Sequence, residues 1–111
     1  MSLIVQQVAL EAIAALRPLV PLIRRSDRAL AEQLARAASS VVLNLAEGAC
    51  SDPGNRRARY FSAAGSANEA RAALRVAVTW GYFAAERAVA AEELLDRVVA
   101  MAWRLTYPRG R

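Results

Sequence analysis

Ser40-Val41-Val42-Leu43-Asn44-Leu45-Ala46-Glu47-Gly48 is the stretch on which the reading of this chain turns. It reads as the last two turns of a helix. Gly48 is the natural exit, because glycine takes the left-handed conformation beyond a helix end without steric cost. Asn44 and Glu47 stand one turn apart, on one side of an otherwise apolar run. Polar groups placed that way must find partners or cost stability. The stretch therefore predicts a specific helix–helix contact, and by itself it names no chemistry.

The totals describe one domain over residues 1–111. The chain is 56% hydrophobic, dominated by Ala, with five Gly and four Pro, which suits closely packed helices better than a sheet. The longest uncharged runs are Met1–Leu10, Ala37–Ala46 and Val76–Ala85. Each is about half the roughly 20 residues needed to span a bilayer, so no membrane partner is expected. The first residues lack the basic start of a secretion signal. One cysteine, Cys50, cannot form an internal disulfide and points to a reducing cytoplasm.

There is no His, which removes the commonest general base and metal ligand. There is no second Cys beside Cys50, no Ser/His/Asp set and no phosphate-cradling glycine loop. The chain is therefore read as not an enzyme, with no catalytic residue, no metal and no cofactor. All 15 basic residues are Arg, a side chain suited to planar contact with phosphate or carboxylate. Residues 1–55 hold five Arg and five acids, whereas residues 56–111 hold ten Arg and five acids. The whole excess of +5 thus lies in the second half, a hint of an anionic partner.

Helical spacing appears along the whole chain. Residues 3–22 place Ile4, Val8, Ala12, Ala15 and Leu19 on one face. Pro18 should kink this helix and Pro21 should end it or open an irregular last turn. Arg24-Arg25-Ser26 reads as a solvated connection, with Ser26 as the cap of a second helix running to about Glu47. Leu30, Leu34, Val41 and Leu45 form its core face, and Gln33, Ser40, Asn44 and Glu47 a polar stripe beside it. Val42 and Leu43 lie off that face and call for a second neighbour, such as another subunit. Ala49–Asn55 is the clear loop, or else Asp52 caps the next helix with Pro53 at its first position.

The third helix spans about 55–84, with Phe61, Ala64, Ala67, Leu74 and Ala77/Val78 inward. Gly65 in mid-helix costs about 1 kcal/mol relative to Ala, which implies close approach of another backbone. The fourth helix spans about 87–106, with Ala91, Leu94/Leu95, Val98, Met101/Ala102 and Leu105 as its stripe. Pro108 stops it before a basic tail, Arg109–Arg111. Trp80, Tyr82, Phe83 and Trp103 near helix ends are assigned to packing or a subunit face. These elements make an all-α fold, an up-down-up-down antiparallel four-helix bundle.

Two motifs resemble a known family. Gln33-Leu34, Arg36-Ala37-Ala38, Ser40-Val41 and Asn44-Leu45-Ala46-Glu47-Gly48 resemble the signature of bacterial four-helix-bundle proteins encoded in ribosomal RNA intervening sequences. Arg59, Phe61, Ala64, Gly65-Ser66, Glu69, Leu74, Ala77 and Gly81-Tyr82 are similar to that family's second block. The likeness covers about residues 26–105. Val41 and Leu45 depart from it by standing where the pattern carries Ile, and Pro18 and Pro21 are foreign to its first helix. It implies an up-down bundle assembling as a ring-shaped homopentamer, with no activity assigned to most members. A related branch, the accessory protein of diversity-generating retroelements, is a basic pentamer that binds a reverse transcriptase and nucleic acid. The motifs are common to both branches.

Two residue sets stand out. Ser40, Asn44, Glu47 and Gly48 with Gly65, Ser66 and Glu69 form the structural motif. If their helices pack antiparallel, the Asn44/Glu47 and Ser66/Glu69 pairs could meet around Gly65 as a satisfied register lock. A carboxylate metal site is the sharper reading, weakened by the missing His. Arg56, Arg57, Arg59, Arg71 and Arg75 are the candidates for binding nucleic acid or another anion, offset only by Glu69 between residues 56 and 75. The plainer reading is a solvated basic face, partly paired with Glu86, Glu92 or Glu93. In sequence the aromatics are not interleaved with Arg as stacking platforms are. The expected function is a non-enzymatic assembly or accessory protein, a ring presenting repeated Arg faces to RNA, DNA or a nucleic-acid enzyme such as a reverse transcriptase. Five copies at +5 each would carry about +25. The competing expectation is a purely structural or protein-interaction module.

Overall fold

Prolines, aspartate caps and one left-handed glycine divide the chain into its helices. The structure, a computed structural model, describes residues 1–108; the expected basic tail at Arg109–Arg111 lies outside the described residues. The elements are α1 (Ser2–Leu16), α2 (Val20–Ser26), α3 (Arg28–Ala49), α4 (Pro53–Trp80), a 3-10 turn (Ala85–Ala88) and α5 (Val89–Thr106). Among the described residues there is no strand.

Residues 3–22 are not one kinked helix. Pro18 ends α1, because its ring has no N–H to donate and crowds the preceding turn. Pro21 then sits in the first turn of α2, where a missing N–H costs nothing. The two helices meet at 51°. α2 continues through Arg24-Arg25-Ser26, which were expected to be a connection. The cap of α3 is accordingly Asp27, whose carboxylate accepts from the Leu30 N–H at 3.0 Å.

α4 starts earlier than its apolar pattern indicates, in the manner of the Asp52–Pro53 alternative. Asp52 accepts from the Asn55 N–H at 3.0 Å, with Pro53 in the first turn. The backbone and side-chain donors of Asn55 hold the Asp52 carboxyl below its ordinary range. A depressed carboxyl stabilises the fold at neutral pH, and that contribution fades as pH falls through the lowered value. Gly81 ends α4 at φ 78°, the one positive φ among the described residues.

The packing partners run in a closed circuit. α3 packs on α4, α4 on α5, α5 on α1, and both α1 and α2 on α3. Cross-contacts between Glu47 and Arg59, and between Gln33 and Glu69, show that α3 and α4 run antiparallel. Phe61 with Trp103 and Arg71 with Asp96 show the same for α4 and α5. The molecule measures 44 × 22 × 18 Å. No single helix among the described residues is long and apolar enough to cross a membrane.

The core has two parts. One joins Leu16, Leu19, Ile23, Leu34, Leu74 and Leu95; the other joins Val5, Val41, Leu45, Tyr60 and Val98. The expected faces of α3 and α5 hold: Leu30, Leu34, Val41 and Leu45 are buried, as are Ala91, Leu95, Val98 and Ala102. The expected face of residues 3–22 holds at Val8, Ala12 and Leu19 and fails at its start. Val5, Val8, Ala9, Ala12 and Leu16 point inward while Ile4 is 57% exposed. α4 buries Tyr60 and leaves Phe61 half exposed. Trp80 and Trp103 are exposed rather than core residues. Val42, expected to need an outside neighbour, packs partly against the second core, whereas Leu43 is exposed.

Candidate functional site

The opening motif lies on the α3–α4 seam. The Ser40 and Ser66 hydroxyls lie 2.9 Å apart and share a hydrogen bond. The Asn44 amide donates at 3.0 Å to the Ser40 hydroxyl and to the Ser40 carbonyl. These are a polar tie between α3 and the mostly Ala buried face of α4, and they fix the register together with the Tyr60 ring over Gly48. A double-mutant cycle between Ser40→Ala and Ser66→Ala is expected to give a coupling energy of about 1 kcal/mol. Purely additive losses in chemical denaturation would show that the hydroxyl pair does not lock the register.

The two glutamates of the motif do not join this network. Glu47 pairs with Arg59 at 3.1 Å, and Glu69 accepts from Gln33 at 3.4 Å. Gln33 lies 14 residues from Glu47 on α3, about 21 Å along the axis at 1.5 Å per residue. Antiparallel packing thus carries the two carboxylates apart instead of gathering them around Gly65. No cluster of three or more His, Cys, Asp or Glu that could hold a metal occurs among the described residues.

Neither motif glycine has its expected role, and the close approach expected at Gly65 occurs at Gly48. Gly48 does not end α3; it is a buried helical residue at which a Cβ would stand 2.6 and 2.8 Å from the Tyr60 ring carbons. Gly65, expected to mark close approach, has nothing within 4 Å of a Cβ. Glycine at 48 is therefore required by the aromatic ring that α4 lays across α3, and not by backbone conformation.

The arginine set divides. Arg56 donates to the Ser51 carbonyl at 3.0 Å and tightens the loop. The Arg57 guanidinium lies 5.5 Å from the centre of the Tyr107 ring. Arg59 meets Glu47, and Arg71 bridges Asp96 at 3.1 Å and Asn68 at 2.8 Å. Arg75 borders a surface hollow with Val76, Thr79 and Trp80. Arg59 and Arg71 are engaged by Glu47 and Asp96, not by the Glu86, Glu92 or Glu93 expected from sequence. Such solvent-exposed pairs contribute little to stability, about 0–1 kcal/mol each, and can open to an anion at small cost.

Two surfaces result. One is a shallow, open groove of about 680 Å³ along α3, where Arg36, Ser39, Leu43 and Arg59 surround Ser40, Asn44 and Glu47. The other is the end of the molecule near the α3–α4 loop. There Phe61 meets Trp103 edge to face, with ring centres 5.6 Å apart, and Trp103 stacks on Tyr107 at 5.7 Å. Sequence reasoning missed this second group because its members come from two segments about 40 residues apart. The only local signal was the i, i+4 spacing of Trp103 and Tyr107 and of Arg57 and Phe61. Cys50 is exposed on the same loop as a free thiol.

The family model described as 23S rRNA-intervening sequence protein matches residues 1–104. Among solved structures, the chain is similar to a protein of unknown function from the S23 ribosomal protein family of Bacteroides thetaiotaomicron. The TM-score is 0.83 at 15% identity, covering 93% of this chain and 98% of that one. No curated protein matches the chain.

Proposed function

The chain belongs to the 23S rRNA-intervening sequence protein family, and from that premise we propose a non-enzymatic, homo-oligomeric helical-bundle protein that contacts nucleic acid through its arginine-bearing end. In this reading α1 and α2 form one broken rod, so that the chain makes an up-down-up-down bundle of four rods. The exposed Leu3, Ile4 and Leu10 on α1 and Leu43 on α3 support self-association, since apolar side chains at such density seek a partner. Five copies are proposed, in keeping with the resemblance to ring-forming bundles. The setting is the cytoplasm.

One observation carries the nucleic-acid part. Residues 53–68 and 97–108 belong to the neighbouring antiparallel segments of α4 and α5, and they hold Arg56, Arg57, Arg59, Arg97 and Arg104 without an Asp or Glu. These five arginines outnumber the acids beside them, Glu47 paired with Arg59 and Asp52 at the start of α4, an excess that favours a polyanion.

Anisotropy titrations with RNA and DNA oligonucleotides over a range of salt test this. Binding should weaken steeply with salt, and the double variant Arg56→Ala/Arg57→Ala should flatten the slope by about one to two units. Indifference to nucleic acid even at about 50 mM salt would discard the reading. It would leave a protein-interaction module, the alternative favoured by the intramolecular pairing of Arg59 and Arg71. Light scattering checks the assembly, and a monomer at all concentrations overturns that part.

A further inference from the structure

Phe61, Trp103 and Tyr107 remain 51%, 39% and 53% exposed although they touch one another. Three large aromatic rings left half in water and already arranged among themselves form an aromatic surface in contact with solvent. Packing fixes their orientation, so a flat ring joining them meets a preorganised partner. The surroundings are cationic: Arg57 lies over Tyr107, and Arg56 and Arg104 lie on the same two acid-free segments. A cavity of about 200 Å³ opens between Arg56, Arg57, Tyr60, Leu105 and Pro108 at the same end of the molecule. Half-exposed aromatic rings edged by guanidinium groups match a chain that alternates flat bases with phosphates. In a duplex each base pair is stacked on both sides, and a free face is offered only at the two ends.

We propose that this aromatic ladder is a stacking platform for the unpaired bases of a single-stranded nucleic acid, whose phosphates pass Arg56, Arg57 and Arg104. A base that joins the stack on Tyr107 takes the place held over that ring by Arg57 and releases the guanidinium to the phosphate. The proposal rests on the nucleic-acid reading above and adds to it a preference for single strands.

The test uses a labelled single-stranded oligonucleotide of about twelve nucleotides and its blunt duplex. They are titrated against the wild type, Trp103→Leu and Tyr107→Leu. Tyr107 lies beyond the end of α5, so its replacement leaves the helix intact. Each variant should lose about tenfold in affinity for the single strand and change less than about twofold for the duplex, where phosphate contacts dominate. In a Trp80→Phe background, the single strand should quench the fluorescence of Trp103. Equal losses on both probes, or no loss on either, overturn the platform while salt-dependent binding to the basic end stands. A change in oligomer size in Tyr107→Leu also overturns it, showing that the rings are a face between copies. Failure of the wild type to bind either probe removes the nucleic-acid reading itself.

Discussion

Gly48→Val is expected to destabilise the protein by about 3 kcal/mol, read as a fall in melting temperature of more than about 10 °C for a domain of this size. Position 48 is helical without a positive φ, so the backbone would accept a side chain. The obstacle is the Tyr60 ring, whose carbons would lie 2.6 and 2.8 Å from a Cβ, with the Arg59 Cβ at 3.2 Å. Tyr60 is itself only 5% exposed and packed in the second core part, so a side chain at 48 must displace the ring or part α3 from α4. Gly65→Ala is the matched control. It sits in mid-helix with nothing within 4 Å of a Cβ, and should stabilise by about 1 kcal/mol through helix propensity alone. The opposite responses of two glycines from neighbouring motifs separate close packing from backbone conformation. A Gly48→Val protein that melts with the wild type would mean that Tyr60 does not cover α3.

Leu74→Ala is expected to cost about 3–4 kcal/mol. Leu74 is fully buried in the larger core part with Leu34 and Leu95, amid Ala31, Ala70, Ala73, Ala77 and Ala91. Alanine neighbours bring the helix backbones together and leave the few large side chains to fill the space between. The many Ala among these neighbours cannot extend into the vacancy, so much of the cavity stays open and the cost lies in the upper part of the range for leucine truncation. Urea denaturation followed by circular dichroism measures it, with the slope of the transition unchanged. A loss below about 1 kcal/mol would show that the core relaxes around the site.

The legible parts of the fold are those where neighbouring residues differ sharply. On α3 the apolar Leu30, Leu34, Val41 and Leu45 are separated by charged and polar residues, and their burial follows the pattern. On α1, 11 of the 15 positions are apolar and Leu3, Ile4 and Val5 stand together, so periodicity does not distinguish Ile4 from Val5, and it is Val5 that is buried. The paired motifs announced a contact between α3 and α4, and the Ser40–Ser66 hydrogen bond supplies it. The same motifs did not reveal that Glu47 and Glu69 turn to Arg59 and Gln33. Nor did they show that Arg57, Phe61, Trp103 and Tyr107 come together.

Composition, proline placement and capping residues are enough to make this chain helical and to set most of its breaks, since each such signal acts within about one turn. Pro18, Asp27, Asp52 and Gly81 act locally and need no distant partner to do so. The role of Gly48, the division of the arginines between internal pairing and open surface, and the aromatic ladder depend on the rotation and register of whole helices. Those are settled by many small packing terms summed over near-identical Ala positions, against which the Ser40–Ser66 tie stands out. No window of local sequence contains that sum, so these features exist only once the helices have packed.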